Sequence, residues 1–313
     1  MSDQSPVSMP AGADDLTGLR VMVTGAGGQV GAYLLDSLRT RSAEPIGIGT
    51  RPGPGVVQVV DIRDAAAVRR AMVNHAPDAV IHAAAYTDVD GCERDPERAH
   101  AVNALGAAHV AAACAATGAY LIGIGTDFVF PGDGGAPYAE DAEPRPLSVY
   151  GASKLAGERA ILAADPAFTV ARTAWVWGGP GKHFPRTVLA VLAKRETMAV
   201  VTDETGNPTH AAHLAAALVE LLARRGAGIF HLVNGGQASR YALARAVASA
   251  AGLDPDRIRP TTAREFALAY PLPAKRPADS RLDNARAAGL RIRLPYWGDA
   301  VRDAVPDLAS SIT

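Results

Sequence analysis

A short strand, a glycine-rich turn and a helix near the start of the chain constrain its fold most strongly. Leu19–Thr24 is a largely apolar run that stops at Gly25, as a buried strand does. Gly25 permits a tight turn, Gly28 lets the backbone approach a diphosphate, and Gly31 lets the following amphipathic helix pack on the strand. The open N–H groups and positive dipole end of that helix favour an anion. This context predicts dinucleotide binding; the alternative is a glycine-rich turn without a ligand.

Further apolar runs alternate with helical segments along the chain. They predict strands at 45–50, 56–60, 78–85, 120–125, 168–171 and 228–233. Such alternation predicts an α/β fold, a Rossmann-type doubly wound parallel sheet with ligands at the carboxyl ends of its strands. The predicted organisation is a disordered tail (1–16), a nucleotide-binding domain (17–177 and 206–233) and a smaller C-terminal substrate-binding lobe (178–205 and 234–305), with the active site between the lobes.

The end of the second predicted strand indicates which dinucleotide is preferred. An acidic residue there would bind the ribose 2′-hydroxyl of NAD, but this chain has Arg51, whose guanidinium suits a 2′-phosphate. We therefore expect NADPH, with NADH as the alternative cofactor and a solvated loop charge as the alternative for Arg51. Asp61, after the third strand, lies near the adenine or caps the helix that begins at about Asp64.

Tyr150 and Lys154 are four residues apart, which places them on one face of a helix. A phenol has an ordinary pKa of about 10, and a neighbouring ammonium lowers that pKa toward the range of an acid/base catalyst. The alternative is a helix start with a half-buried tyrosine and a solvated lysine. Thr126 follows the fifth predicted strand and is suited to hydrogen-bond a carbonyl oxygen that Tyr150 protonates, or it is an ordinary strand-end hydroxyl.

Together these motifs resemble the extended short-chain dehydrogenases/reductases and, within them, the dTDP-4-dehydrorhamnose reductase family. The matching stretches run in family order at 23–31, 83–90, 101–103, 125–130, 150–158, 172–178, 203–209 and 275–282. The stretch around Tyr86, the Gly206–Thr209 motif and the Arg276–Leu282 stretch discriminate best from the sugar-nucleotide epimerases, which share several of the others.

The resemblance implies reduction of the C4 keto group of a dTDP-4-keto-6-deoxyhexose by NADPH, giving dTDP-L-rhamnose or a related deoxysugar. It implies a catalytic trio in which Tyr150 donates the proton, Lys154 binds the nicotinamide ribose and tunes Tyr150, and Thr126 orients the carbonyl oxygen. The cofactor-binding residues that it implies are Gly25, Gly28, Gln29, Val30, Gly31, Arg51, Asp61, Ile62, Ala83, Ala84, Ala85, Tyr86, Asn103, Tyr150 and Lys154. The substrate-binding residues are Thr126, Asp127, Phe128, Val129, Trp175 and Arg276. Arg276 is a predicted diphosphate partner, with a surface ion pair as its alternative, and a core position is the alternative for Trp175.

Three positions depart from the family pattern. Gly125 replaces a serine, Phe128 replaces a tyrosine, and Glu204 replaces a glutamine. The loss of a phenol beside the site affects which 4-keto sugar fits, and Glu204 adds a negative charge. Some members dimerise through magnesium-linked glutamates. The full set is not matched here, so no metal site is predicted, and Mg²⁺ dependence and a homodimer are both left open.

Composition excludes several other classes of function. A formal net charge of −1, with 48% hydrophobic and 20% charged residues, gives no basic surface for nucleic acid or membrane. No apolar run of about 18 residues and no secretory signal is recognised, and both cysteines, Cys92 and Cys114, suit a reducing cytosol, so a cytoplasmic protein is expected. Two alternative functions remain: a nucleotide-sugar 4-epimerase that retains NAD, and a non-catalytic NADP-binding subunit like the regulatory subunit of methionine adenosyltransferase.

Overall fold

The computed structural model describes residues 16–134 and 137–311. The strands are β1 Arg20–Thr24, β2 Glu44–Gly49, β3 Gln58–Val59, β4 Ala79–His82, β5 Tyr120–Thr126, β6 Thr169–Thr173, β7 Val176–Trp177, β8 Met198–Val201, β9 Thr205–Gly206, β10 Thr209–His210, β11 Gly228–His231, β12 Ala238–Ser239 and β13 Ile258–Thr261. The α-helices are α1 Gln29–Thr40, α2 Ala65–His75, α3 Val89–Arg94, α4 Pro96–His100, α5 Ala107–Thr117, α6 Val149–Ala164, α7 Phe184–Leu192, α8 Ala211–Arg224, α9 Arg240–Ala250, α10 Ala263–Ala269, α11 Ala285–Gly289 and α12 Trp297–Ser310. Ala101–Gly106 is π-helical, and Asp127–Val129 and Pro255–Arg257 are 3₁₀-helical.

One parallel sheet of seven strands organises the molecule. Its order is β11-β6-β5-β4-β1-β2-β3, and every neighbouring pair is parallel. The order reverses direction beside β1, so the carboxyl ends of β1 and β4 flank the crevice where ligands bind in such sheets. The predicted doubly wound Rossmann-type fold is confirmed.

Several predicted strands differ in extent from the observed ones. The fourth ends at His82 instead of Ala85; beyond it, the Ala83 N–H donates to the Thr24 carbonyl and the Ala84 N–H donates to the Thr24 hydroxyl. The third shortens to Gln58–Val59 at the sheet edge, and the sixth runs from Thr169 to Thr173.

Alternating strand residues build two hydrophobic layers, one on each face of the sheet. Ile81 and Ile122 pack with the leucines of α1 and α8, whereas Val80 and Leu121 pack toward α2, α5 and α6. Leu16 is buried in the first layer, although the predicted tail included it. The rest of that tail, residues 1–15, lies outside the described residues.

A separate hydrophobic core forms beside the sheet. It joins residues of 177–200 to residues of 238–309 through packing of α7, α9 and α12 over the small β8–β13 sheet. Ala287 and Ile292 belong instead to the first layer of the main sheet, although they fall inside the predicted 234–305 segment. The division into two lobes remains a prediction, and these cores are the observations that bear on it.

The helical run Pro96–Thr117 is long and apolar enough to cross a bilayer by length and composition alone. A single run of this kind is weak evidence of a membrane span, so the prediction of no membrane-spanning run is not overturned by it. The run packs against α2 and α6, and core helices of globular proteins meet the same criterion.

Candidate active site

A cleft of about 860 Å³ opens at the carboxyl ends of β1, β4 and β5. Its walls come from the glycine turn before α1, the segment after β5, the start of α6, and residues of the second core such as Leu243 and Val200. The cleft therefore lies where the sheet meets the second core, and it is the candidate active site.

The glycine turn fits the diphosphate of a dinucleotide. Gly25 has a positive φ of 70°, and a Cβ there would lie 2.8 Å from the Ala84 nitrogen. A Cβ on Gly31 would lie 2.2 Å from the Gly25 oxygen, so α1 approaches the turn as closely as only glycine allows. Gly28 is the N-cap of α1 and has no side chain with which to cap it. The N–H groups at this helix start are thus available to an anionic group.

The predicted catalytic trio converges on the cleft. Ser148 caps α6 by accepting from the Gly151 N–H, and this start sets Tyr150 and Lys154 on the buried face of the helix. Thr126 ends β5, and all three side chains line the cleft. The Lys154 Nζ donates to the Ile124 carbonyl at 2.6 Å. The alternative of a solvated lysine is therefore wrong; the catalytic roles stay a prediction.

The pKa of the Tyr150 phenol moves in the opposite direction from the one expected. Burial raises it, nearby Asp127 adds to the rise, and the Thr126 hydroxyl opposes it. The predicted lowering by Lys154 is wrong for this structure, since the ammonium is directed at the Ile124 carbonyl. A phenol with its ordinary pKa of about 10 is already protonated at neutral pH, so the rise does not create the proton-donor state; it makes the Tyr150 phenol a weaker acid.

Asp127 is buried directly behind the trio and accepts a hydrogen bond from the Thr126 hydroxyl at 3.1 Å. Burial raises its pKa to about 6, and the Ser280 and Thr126 hydroxyls partly offset the rise. Its Oδ2 atom has no hydrogen-bond partner within the described residues. This carboxyl thus changes charge closer to neutrality than an ordinary aspartate.

The predicted cofactor residues divide into two groups. Those that line the cleft are Gly25, Gly28, Gln29, Val30, Gly31, Ala83, Ala85, Tyr150 and Lys154. Those that lie outside its lining are Arg51, Asp61, Ile62, Ala84, Tyr86 and Asn103.

Residues of the second group have other contacts. Asn103 accepts from the Tyr86 N–H and donates to the Tyr86 carbonyl and the Ser153 hydroxyl, so it ties the Tyr86 stretch to α6. Asp61 pairs with Arg63, whose hydrogen bond lowers the Asp61 pKa, and Asp64 caps α2. The capping alternative for Asp61 is therefore wrong.

The predicted substrate residues also divide into those that line the cleft and one that does not. Asp127, Phe128, Trp175 and Arg276 line the cleft with Thr126. Phe128 packs edge-on to the Tyr150 ring, with centroids 5.5 Å apart. Val129 is fully buried with Phe130 and Leu155 and does not line the cleft, so its predicted substrate contact is wrong. The Val129 side chain packs in the hydrophobic cluster behind the cleft wall.

Arg276 was predicted to bind a diphosphate or to form a surface ion pair, and Trp175 to contact substrate or to lie in the core. The structure shows features of both alternatives for each residue. Arg276 pairs with Asp90 at 2.8 Å, yet both lie in the cleft wall. Trp175 is half-buried, lines the cleft and adopts a left-handed φ of 47°.

Arg240 is a charged cleft residue that the sequence analysis did not identify. Its guanidinium carbon lies 3.5 Å from the centroid of the Trp175 ring, and its Nε lies 3.8 Å from the Glu204 Oε2. The added charge of Glu204 was the available signal, because a carboxylate in a cleft wall requires a nearby cation.

Comparison with known proteins adds independent information. Residues 19–310 match the family described as RmlD substrate binding domain. A dTDP-4-dehydrorhamnose reductase of Mycolicibacterium smegmatis is 41% identical over 303 residues, covering 96% of this chain and 89% of that protein. A solved dTDP-4-dehydrorhamnose reductase of Clostridium acetobutylicum superposes with a TM-score of 0.85 at 32% identity, covering 93% and 99% of the two chains. The Bacillus anthracis protein of that name, solved with NADP, has a TM-score of 0.84 at 31% identity, covering 92% and 98%.

Proposed function

Because this chain belongs to the RmlD substrate-binding-domain family, we propose that it uses NADPH to reduce the C4 keto group of a dTDP-4-keto-6-deoxyhexose. The substrate is dTDP-4-dehydro-L-rhamnose, which gives dTDP-L-rhamnose, or a related deoxysugar. One observation carries the proposal: Thr126, Tyr150 and Lys154 line the same cleft as the glycine turn. A proton donor and a dinucleotide cradle thus meet in one site.

Each member of the trio has a task that its position supports. Tyr150 is a buried phenol that is protonated at neutral pH, and it delivers that proton to the C4 oxygen. Thr126, at the end of β5, orients that oxygen with its hydroxyl. Lys154 supplies an ammonium one helical turn from Tyr150 for the ribose hydroxyls of the cofactor. The nicotinamide, when bound, supplies the hydride.

The test is NADPH consumption by the purified protein with dTDP-4-keto-6-deoxyglucose, with and without a 3,5-epimerase. We expect oxidation to require the epimerase, and Tyr150→Phe to lower kcat/KM by roughly 10²–10⁴-fold because it removes the proton donor. Tyr241→Phe is the matched control, since it removes a phenol that does not line the cleft.

NADPH oxidation without the epimerase would support C4 keto reduction but with a different sugar as the substrate. NADPH oxidation by Tyr150→Phe at the wild-type rate would show that Tyr150 is not the proton donor. A protein that binds NADPH and consumes none would contradict the reductase and favour the epimerase or the binding subunit.

A further inference from the structure

The cleft contains an arginine that stacks on an aromatic ring. Arg240 opens α9, its side chain is 21% exposed, and its guanidinium lies 3.5 Å above the centroid of Trp175 and 5.3 Å from that of Phe184. A guanidinium at this distance from an indole face interacts favourably with the negative face of the ring.

Trp175 needs such support because its backbone conformation is unfavourable. A φ of 47° is left-handed, and a bulky side chain adopts that region only where surrounding contacts hold it. Gly206 provides the other close contact, since a Cβ there would lie 2.4 Å from Cε2 of the indole. Arg240 and Gly206 together restrict the movement of the indole, and Trp175 lines the cleft.

Glu204 balances the charge of Arg240. Their Nε and Oε2 atoms are 3.8 Å apart, and Arg276 lies close enough to contribute to the field at both. Burial raises the pKa of Glu204, while Arg240 and Arg276 lower it. Burial lowers the pKa of Arg240 to about 10, so the guanidinium remains charged at neutral pH. The pair therefore places a cation on Trp175 without adding a net charge to the cleft.

We propose that Arg240 is a positioning residue that, with its charge balanced by Glu204, fixes the indole of Trp175 against the hexose ring of the substrate. The sugar that fits the cleft then depends on the Arg240–Glu204 pair as well as on Phe128. This inference rests on the proposed function, because it needs a hexose at Trp175.

The test compares Arg240→Met, Glu204→Gln and their double variant in the coupled reductase assay. A cation–π contact of about 1–2 kcal/mol corresponds to about a 5- to 30-fold rise in KM for the sugar nucleotide in Arg240→Met. We expect kcat to change much less, and the Kd values for NADPH and for dTDP alone to stay the same. In the double variant, KM should rise less than the product of the two single effects, because Glu204→Gln removes the carboxylate left without its partner.

Arg245→Met is the matched control. Arg245 lies on the same helix, contacts Tyr241 and pairs with Asp256, but it does not line the cleft. Melting temperatures show whether each variant is folded, and Arg240→Lys retains the charge and should recover part of the lost affinity.

An unchanged KM in a folded, active Arg240→Met protein would overturn the inference. An equal loss of affinity for dTDP alone would also overturn it, since Arg240 would then be a diphosphate ligand. An inactive wild type would instead overturn the proposed function, and this inference with it.

Discussion

Asp127 is the cleft carboxyl whose proton equilibrium differs most from that of an exposed aspartate. Its pKa rises from 3.8 to about 6 because burial penalises the charged form. The folded state thus binds a proton at this site between those two pH values, whereas the unfolded state does not. Ionisation of Asp127 therefore destabilises the fold as the pH rises through that window.

Replacing Asp127 with asparagine removes this dependence. We expect wild type to lose stability relative to Asp127→Asn between about pH 4 and pH 6, by up to about 3 kcal/mol, because each pKa unit is worth about 1.4 kcal/mol. The difference should then be constant above about pH 7. Urea denaturation of both proteins across this range measures it, and a difference that does not vary with pH would contradict the raised pKa.

Gly125 illustrates why one departure from the family pattern was not interpretable from sequence. A Cβ at this position would lie 2.4 Å from the Glu158 Oε1 and 2.9 Å from the Arg172 Cγ. Glu158 and Arg172 form a buried ion pair at 2.9 Å that links α6 to β6. A serine here would require Glu158 or Arg172 to shift, and both stand more than 30 positions later in the chain.

The turn between β1 and α1 is the element on which we expect cofactor binding to depend. We expect Gly31→Ala to cost about 1–3 kcal/mol of stability and to weaken NADPH binding about tenfold or more, because its Cβ would collide with the Gly25 carbonyl. Gly27→Ala is the matched control, since its Cβ would lie 3.8 Å from the nearest atom. Thermal denaturation and NADPH titration of both variants are the measurements; equal behaviour of the two would refute the close approach.

Elements built from consecutive residues were predictable, and contacts between distant segments were not. The β1–turn–α1 unit carries its signal in adjacent residues, and the position of Thr126 follows from a strand that ends there. The stacking of Arg240 on Trp175 joins residues from different segments, and no periodic pattern encodes it. The π-helical Ala101–Gly106 was likewise not predicted, and it packs against α6, a segment more than 40 positions later.

At the scale of the whole molecule, cofactor binding should stabilise the fold. A ligand at 100 times its Kd adds about 2.7 kcal/mol to the free energy of unfolding. We expect NADPH to raise the Tm more than NADH at equal concentration, and Arg51→Ala to remove that difference by removing the guanidinium expected at the 2′-phosphate. Differential scanning fluorimetry measures it. Equal shifts with both cofactors in wild type would contradict the preference for NADPH.

The second core also limits how such chains can diversify. Its residues come from two stretches, 177–200 and 238–309, separated by α8 and β11 of the main sheet. Recombination that replaced only one stretch would build this hydrophobic core from the residues of two different parent proteins. Transplanting the cleft wall formed by this core from one relative to another therefore requires both stretches to be inherited together. Laboratory chimaeras should accordingly move the two stretches as one unit and leave the intervening α8–β11 segment in place.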